Sequence, residues 1–422
     1  MIHANELQTP WTTFRIGGAI LPEIAAFNQN AASRSQVAQI QGGTPAPDPT
    51  PVDPADSRLP SARSAFARRT AATVSSAQVA DSNDEGELPT VGRIRDSRFV
   101  FSGRLATNRN INWSAGVMYD WVAHKWFIRQ TGFLIDVPEI YSNFWVGRTK
   151  EGPSLNRVTS GYDLWMMERF TFSDAGIPLL ADGIRWQGYV PKYHLIWNLG
   201  GFADVLSKGE SFSYFSNQVA GRVGYVKMDS AAAGNLVHAA MSFQFGIPTN
   251  GSLALKSKPE AFEAPQFINT GKFPATAAQL LGIELYRRTG SWLYGTEYYV
   301  ERATSPETNN PVFSGGDVFA TWLMTGETRS YIAPGSVFSV VTPKRDVFDG
   351  GPGAIEWTLR LSNIDLTAGT LQGGTFWRIT PGMNWYLSNN VRFELEYGYG
   401  ALTRFGTTGV TQFFQSRFQF QL

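Results

Sequence analysis

The chain has 422 residues, of which 14% are aromatic and only 17% are charged, with 42 glycines and no cysteine. The absence of cysteine excludes disulfides, a thiolate nucleophile and a cysteine metal site. A formal net charge of +1 favours neither a nucleic-acid partner nor an acidic substrate. This length suits one large barrel or two to three ordinary domains, and the aromatic and glycine content favours strands and tight turns.

No apolar stretch reaches the length of about twenty residues that a transmembrane helix needs, so a helical membrane protein is excluded. Residues 1–8 lack the basic region and apolar core of a signal peptide. If the chain crosses a membrane with strands, we therefore expect the sequence to be a mature or trimmed form, or one whose start has been lost.

Two-residue alternation of apolar and polar side chains predicts strands along most of the chain. In chain order the predicted strands are 13–24, 97–106, 111–122, 144–150, 221–228, 236–245, 280–287, 292–300, 318–324, 355–362, 376–386, 391–400 and 412–422. In the last of them, aromatic and aliphatic side chains alternate with polar ones: Phe414, Phe418, Phe420 and Leu422 lie on one face, and Gln415, Arg417, Gln419 and Gln421 on the other.

Residues 41–92 do not fit the strand pattern. A Pro/Asp-rich run and then an Ala/Ser-rich run leave little that could be buried, which predicts a mobile loop between the first strands. Four arginines in it suggest a basic surface element, although a solvated loop is the simpler interpretation; they are Arg58, Arg63, Arg68 and Arg69.

Strands with an aromatic face and a polar face are typical of a transmembrane barrel, with lipid outside and water inside. Short turns join neighbouring strands, for instance at 289–291 and 388–390. The pattern predicts one antiparallel transmembrane β-barrel over residues 1–422 with roughly 14 to 18 strands, wide enough to enclose water. A soluble propeller or sandwich is the alternative, but the sequence has no blade-length repeat.

Several motifs, which follow one another along the chain in the family's order, resemble the phosphate-selective porin O and P family. The first is Phe-Trp-Val-Gly-Arg-Thr-Lys-Glu-Gly-Pro-Ser-Leu at 144–155, followed by Trp-Met-Met-Glu-Arg at 165–169. Further similar segments lie at 256–260, 264–271, 323–331, 341–345, 353–360 and 382–386. The resemblance covers the chain from about residue 95 to the C-terminus.

The resemblance implies a homotrimeric barrel of about sixteen strands in the outer membrane of a Gram-negative bacterium. It also implies an inward-folded constriction loop, placed at 151–182, and passive diffusion of small anions or other small hydrophilic solutes. We therefore expect outer-membrane lipid and such solutes as partners, with no nucleic acid, no cofactor and no metal.

The cationic residues of the family's pore are only partly present in this chain. Arg157 aligns with the constriction lysine, whereas Lys256 and Lys258 replace two arginines of the family's ladder and lack the guanidinium fork that suits phosphate. Glu260 places an anion at a further ladder position. This predicts weak phosphate selectivity or a general pore, and simple loop solvation explains the two lysines equally well.

Four other residues flank or belong to the predicted constriction loop. Arg148 and Lys150 lie at its mouth and are candidate anion-binding residues. Glu168 and Arg169 are expected to anchor the loop to the barrel wall by a salt bridge.

A barrel of this kind is also compatible with two other functions. An outer-membrane barrel enzyme would need a histidine that activates a serine or pairs with an aspartate, but the four histidines are isolated in sequence: His3, His124, His194 and His238. A structural envelope barrel, with the 41–92 loop as its contact element, is the other alternative. We favour the passive porin.

Overall fold

The computed structural model describes residues 6–42, 86–122, 124–205, 215–229 and 234–422. In these ranges one antiparallel sheet contains sixteen long strands. They are β1 (Thr13–Gln29), β2 (Val91–Arg104), β3 (Ile111–Asp120), β4 (Lys125–Val137), β5 (Ser142–Thr149), β6 (Ala181–Val190), β7 (Leu195–Ala203), β8 (Phe215–Met228), β9 (Leu236–Pro248), β10 (Ala277–Thr289), β11 (Trp292–Thr304), β12 (Val312–Leu323), β13 (Ala354–Ala368), β14 (Leu371–Tyr386), β15 (Val391–Arg404) and β16 (Thr407–Gln421).

The sheet closes on itself between its first and last long strands. β16 pairs with β1, placing Arg417 opposite Glu23, and β1 pairs on its other side with β2. A short strand, Glu6–Gln8, pairs with the start of β1 beyond the end of β16. Closure leaves no long unpaired edge, so the predicted all-β barrel of about sixteen strands is confirmed. None of the helices in the described ranges is long and apolar enough to cross a membrane.

The two faces of the strands differ as the alternation predicts. On β16, Phe414, Phe418 and Phe420 point outward and are 42–48% exposed, while Gln415 and Arg417 point inward and are 2% exposed. The same division holds along β13 and β15, where acidic and arginine side chains are buried inside. An outward apolar band of this kind is the surface that a barrel presents to lipid.

Three strands, β4, β6 and β7, were not predicted. The pairing register between β3 and β4 shifts between Ala115 and Val117 of β3. An extra residue in β4 at this point breaks its two-residue period. In β6 and β7 glycines interrupt the pattern, and a Cβ at Gly183 would lie 2.1 Å from the carbonyl oxygen of Gly201. Only glycine permits such a close approach of two strands.

The predicted 41–92 loop is only partly within the described ranges. Residues 43–85 lie outside them, and the segment before them forms a helix that was not predicted, α1 (Ala31–Gln41). Asn30 caps α1 by accepting a hydrogen bond from the Ser33 amide at 2.8 Å. Gln36 donates to three carbonyls of the β15–β16 hairpin, on Leu402, Arg404 and Thr407. The helix is thereby held against the end of that hairpin.

Three long connections fold into the barrel: the 150–180 loop, the 249–276 loop and the 324–353 loop. The first contains α2 (Leu155–Val158) and α3 (Thr171–Gly176). The other short elements are strand pairs Ser252–Leu253 with Phe273–Pro274, Lys256–Ser257 with Ile268–Asn269 and Tyr331–Ile332 with Val337–Phe338, and 3₁₀ turns at Pro138–Ile140, Pro191–Tyr193, Thr249–Gly251, Pro306–Thr308 and Val347–Asp349.

Apolar side chains of the three loops pack against the inner wall. Phe172 stacks on Tyr299 with ring centroids 6.0 Å apart, and Trp165 stacks on Phe319 at 4.5 Å. Phe338 of the 324–353 loop contacts Trp165 edge-on. These clusters fill the interior on the side of β8 to β16. The remaining space lies near the opposite wall.

The apolar band gives a first testable expectation. Val318, in the middle of β12, is 52% exposed, and Val312, at the end of the same strand, is 49% exposed. We expect Val318→Arg to lower the free energy of unfolding by about 2–4 kcal/mol and Val312→Arg by about 0–1 kcal/mol, because the cost of a charge depends on membrane depth. Denaturant titration of protein folded into lipid vesicles measures both. Equal losses would contradict this placement of β12 in the bilayer.

Candidate functional site

A chamber of about 280 Å³ lies between the 150–180 loop, the 249–276 loop and the wall formed by β2, β3 and β4. Its cationic lining residues are Arg95, Arg98, Arg129, Lys150, Arg157, Arg169 and Lys258. Its anionic lining residues are Asp120, Glu168, Asp174 and Glu260. We call this space the basic chamber, because seven cations against four anions leave a formal excess of three positive charges.

A bulge in β2 brings two arginines to the chamber. Asp96 pairs with Leu21 and Ile94 pairs with Pro22, so Arg95 between them is left without a partner in the ladder. Pro22 has no amide hydrogen to donate, which suits a position where pairing is interrupted. The extra residue allows both Arg95 and Arg98, three positions apart, to reach the chamber.

Glu168 connects the 150–180 loop to the seam where the barrel closes. Its carboxylate accepts two hydrogen bonds from Arg95, at 2.8 and 2.9 Å, and one from Arg417 at 2.5 Å. Arg417 also donates to Glu23, its neighbour across the seam, at 2.9 and 2.5 Å. Burial alone would raise the pKa of Glu168, but Arg95 and Arg417 outweigh it and hold the pKa well below its usual range.

Wall arginines also hold the backbone of the same loop segment. Three guanidinium groups donate to carbonyls within residues 164–168 of the loop at 2.6–2.8 Å: Arg392 to Leu164, Arg417 to Met167 and Arg360 to Glu168. Hydrogen bonds from charged donors are stronger than those between neutral groups. The segment is therefore fixed at several points.

The start of the loop is attached to the wall on the side of β10 and β11. Glu284 and Glu297 lie opposite each other on these two strands. Ser154 donates its hydroxyl to Glu297 at 2.5 Å and its amide to Glu284 at 3.1 Å, and the Asn156 amide donates to Glu297 at 2.7 Å. With both of its ends attached, the loop forms a fixed partition across the barrel.

Five of the seven residues named from the sequence line the basic chamber: Lys150, Arg157, Glu168, Arg169 and Lys258. Lys150 donates to the carbonyls of Val158 at 3.0 Å and Thr159 at 2.7 Å. Burial, reinforced by the neighbouring cation Arg169, lowers the pKa of Lys150 well below its usual value. Arg169 donates to carbonyls of its own loop, the shortest bond reaching Thr159 at 2.8 Å, so its hydrogen bonds stabilise the loop rather than joining it to the wall.

The other two named residues are placed elsewhere. Arg148 is 1% exposed and pairs with Asp182 across β5 and β6 at 2.7 Å. Lys256 is exposed, and neither residue belongs to the described lining of the chamber. Glu260, the anion at a ladder position, forms an ion pair with Arg360 at 2.5 Å.

Three cations of the chamber were missed from the sequence: Arg95, Arg98 and Arg129. The strand predicted at 97–106 begins after Arg95, because the bulge interrupts the alternation, and β4 with Arg129 was not predicted. The available signal was the density of charge, since Arg93, Arg95 and Arg98 fall within six residues. Among the described residues, no group of three or more His, Cys, Asp or Glu side chains is arranged to hold a metal ion.

The family model for phosphate-selective porin O and P matches residues 139–422. The chain belongs to this porin family. The matched span contains all three inward loops and all seven candidate pore and anchoring residues named from the sequence. The wall arginines of β2 and β4 precede it, so this side of the basic chamber lies outside the family match.

Solved structures similar to this porin are outer-membrane barrels. An anion-selective porin from Comamonas acidovorans shares 11% identity at a TM-score of 0.53, covering 97% of this chain and 100% of that one. OmpT of Vibrio cholerae shares 11% identity at a TM-score of 0.53, covering 99% of this chain and 100% of that one. The channel DcaP of Acinetobacter baumannii shares 8% identity at a TM-score of 0.54, covering 97% of each chain. Likeness at these identities shows the fold alone.

A curated protein of Caulobacter vibrioides, described as uncharacterized, is 29% identical over 133 residues, or 32% of this porin. The match spans only 27% of that relative's length.

The seam carboxylate provides a second expectation. Glu168→Gln removes the charge shared by the buried guanidinium group of Arg417 and the partly buried one of Arg95, and we expect the free energy of unfolding to fall by roughly 3 kcal/mol. Asp174→Asn is the matched control, because Asp174 is half exposed and lies 3.6 Å from Arg157; we expect a loss below about 1 kcal/mol. Denaturant titration in vesicles measures both, and similar losses would show that Glu168 does not anchor the loop.

Glu151 gives a pH-dependent expectation. It is buried beside Lys150, accepts a hydrogen bond from Gln218 at 2.7 Å, and its burial raises the pKa from 4.5 to about 8. The folded chain then holds this proton more tightly than the unfolded chain, so the stabilising contribution is complete below about pH 4.5 and is lost as the pH rises through about 8.

Unfolding free energies of the native protein and Glu151→Gln, compared between about pH 5 and pH 9, measure this contribution. We expect the native protein to lose stability relative to the variant across that window. Parallel pH profiles would contradict the assignment.

Proposed function

We propose that this porin is a passive diffusion channel that prefers anions. The observation that carries the proposal is the basic chamber, where seven cationic side chains meet four anionic ones between two fixed loops and the barrel wall. Clustered cations in a narrow, partly dehydrated passage attract anions and repel cations. The porin family and the anion-selective structural neighbour support this reading.

The proposed route runs alongside β2, β3 and β4. Solutes enter at the end of the barrel that carries the 150–180 and 249–276 loops, pass the basic chamber and leave at the end that carries the chain termini. Diffusion of this kind needs no energy coupling and no chemical turnover. We therefore propose a channel rather than an enzyme.

The proposed preference is modest and is not specific for phosphate. Arg95 and Arg98, whose guanidinium forks would suit phosphate, are paired through two hydrogen bonds each with Glu168 and Asp96. Lys258 contributes charge without a fork. The chamber therefore acts mainly through its electric field, which any small anion feels.

We also propose that the protein is a homotrimer in the outer membrane of a Gram-negative bacterium. Its outward apolar band supports contact with lipid, and the trimer is the assembly that membership of this porin family suggests. Trimers should give conductance steps in groups of three in planar bilayers and a cross-linked species of three chains in membranes. Cross-linking that stops at two chains, or that joins no chains at all, would contradict the trimer.

The two lysines of the 249–276 loop test the role of the chamber. Lys258 lines it and Lys256, two residues earlier, does not. We expect Lys258→Gln to lower the chloride-to-potassium permeability ratio at least about twofold, because a unit charge a few ångströms away changes an ion's energy by about 1 kcal/mol even in water. Lys256→Gln should have a clearly smaller effect.

Reversal potentials in planar bilayers under a potassium chloride gradient give both ratios. Equal effects of the two substitutions would place the selective region elsewhere. A native preference for potassium would refute an anion channel, and the absence of any current would favour a structural envelope barrel.

A further inference from the structure

The basic chamber also has an apolar side. Met118 from β3, Leu179 from the 150–180 loop, and Ala261 and Phe262 from the 249–276 loop contribute to its lining. The ring of Phe262 is only partly buried. Two chamber cations lie against it, with Lys258 Nζ 4.3 Å and Arg95 Cζ 4.6 Å from the ring centroid. A single small solute would therefore contact cations and apolar groups together.

We propose that the chamber favours small organic anions with an aromatic or apolar body, such as benzoate, over inorganic phosphate. This inference rests on the proposed anion channel and specifies its solute class. Its basis is the combination of a positive field, an aromatic ring beside the cations, and two arginines whose Nε–Nη2 edges are already engaged by carboxylates.

The engaged donors disfavour a strongly hydrated anion. Phosphate gives up water readily only where several donors replace it. In the chamber, Arg95 donates to both oxygens of Glu168, Arg98 donates to both oxygens of Asp96, and Lys150 donates to two carbonyls. Arg95 and Arg98 each commit the Nε–Nη2 edge, two of their five N–H donors, to a carboxylate that also repels phosphate, whereas the field of the cations acts on any anion.

The apolar lining suits the other half of an organic anion. An aromatic ring needs no hydrogen-bond partner, so its transfer from water to the surfaces of Phe262, Met118 and Leu179 is favourable. Its carboxylate then lies near Lys258 and Arg95, the two cations that contact the Phe262 ring. A chamber of about 280 Å³ holds one such small solute.

The local fold holds Phe262 at this place. Lys258 donates to the Phe262 carbonyl, and the Ala264 amide donates to the Ala261 carbonyl at 3.2 Å, which closes a turn around the ring-bearing residue. Glu263 pairs with Arg93 of β2 at 3.2 Å, and its side chain is 2% exposed. The turn is therefore attached to the same strand that supplies Arg95.

Single-channel recording in potassium chloride with added benzoate or phosphate tests the inference. We expect benzoate to reduce the chloride current with a half-blocking concentration at least about threefold below that of phosphate, consistent with one aromatic contact. Benzyl alcohol, which has the ring without the charge, should not block. Phosphate block at equal or lower concentration, or equal block by benzyl alcohol, would overturn the proposal.

Two substitutions examine the ring itself. Phe262→Leu retains apolar volume and should raise the half-blocking concentration of benzoate about threefold while leaving that of phosphate unchanged. Phe348→Leu is the matched control, because Phe348 is 69% exposed and lies in the 324–353 loop outside the described chamber lining; it should change neither value. Unchanged benzoate block in Phe262→Leu channels would refute a role for the ring.

These outcomes separate the inference from the proposed function. The chloride preference in a potassium chloride gradient tests the anion channel without any organic solute. If that preference is present and phosphate is the stronger blocker, only the solute class is wrong. The comparison of the two anions in the native channel stands even if a variant fails to insert.

Discussion

Two carboxylates and two guanidinium groups meet where the barrel closes, and the position of the 150–180 loop depends on them. Glu23 and Arg417 face each other across β1 and β16, Arg95 comes from β2, and Glu168 comes from the 150–180 loop. A buried charge without a partner is costly, while a satisfied pair is close to neutral in free energy. We therefore infer that this cluster contributes positional specificity: it allows one place for the loop relative to the seam.

The cluster also explains why the barrel interior is asymmetric. With Glu168 held at the seam, the aromatic residues on either side of it reach the wall formed by β11 and β12, where Trp165 stacks on Phe319 and Phe170 on Tyr299. The 324–353 loop, entering from the other end, places Phe338 against the same tryptophan. Apolar packing closes one half of the lumen, and solutes are left with the half that is lined by β2 to β4.

How much of this could be predicted follows from the range of the interactions involved. Which face a side chain takes is a local property, so the inward position of Arg417 and the outward position of Phe418 follow from alternation alone. Pairing is not local: Glu23 and Arg417 are 394 residues apart, and Arg148 meets Asp182 only once the register of β5 and β6 is known. The bulge at Arg95 depends on Pro22 in a different strand.

The family resemblance supplied part of what periodicity could not, because the motifs at 144–155 and 165–169 identify a loop whose inward course no local pattern shows. It gave the cations of that loop but not their wall partners, since the matched span begins after β2, β3 and β4. Half of the basic chamber could therefore be predicted from motifs. The arginines of the wall required the assembled barrel.

A conflict between anchoring and binding follows from using the same guanidinium groups for both purposes. Arg95 can hold Glu168 with its full fork or offer that fork to a passing anion, but it cannot do both at once. A pore that must release its solutes quickly benefits from this limit, because donors that bind too well slow the exit of the anion. The chain keeps the positive charge in the passage while its own carboxylates occupy the strongest donors. Discrimination among anions then falls to the other groups of the lining, and in this chamber these include the partly exposed ring of Phe262.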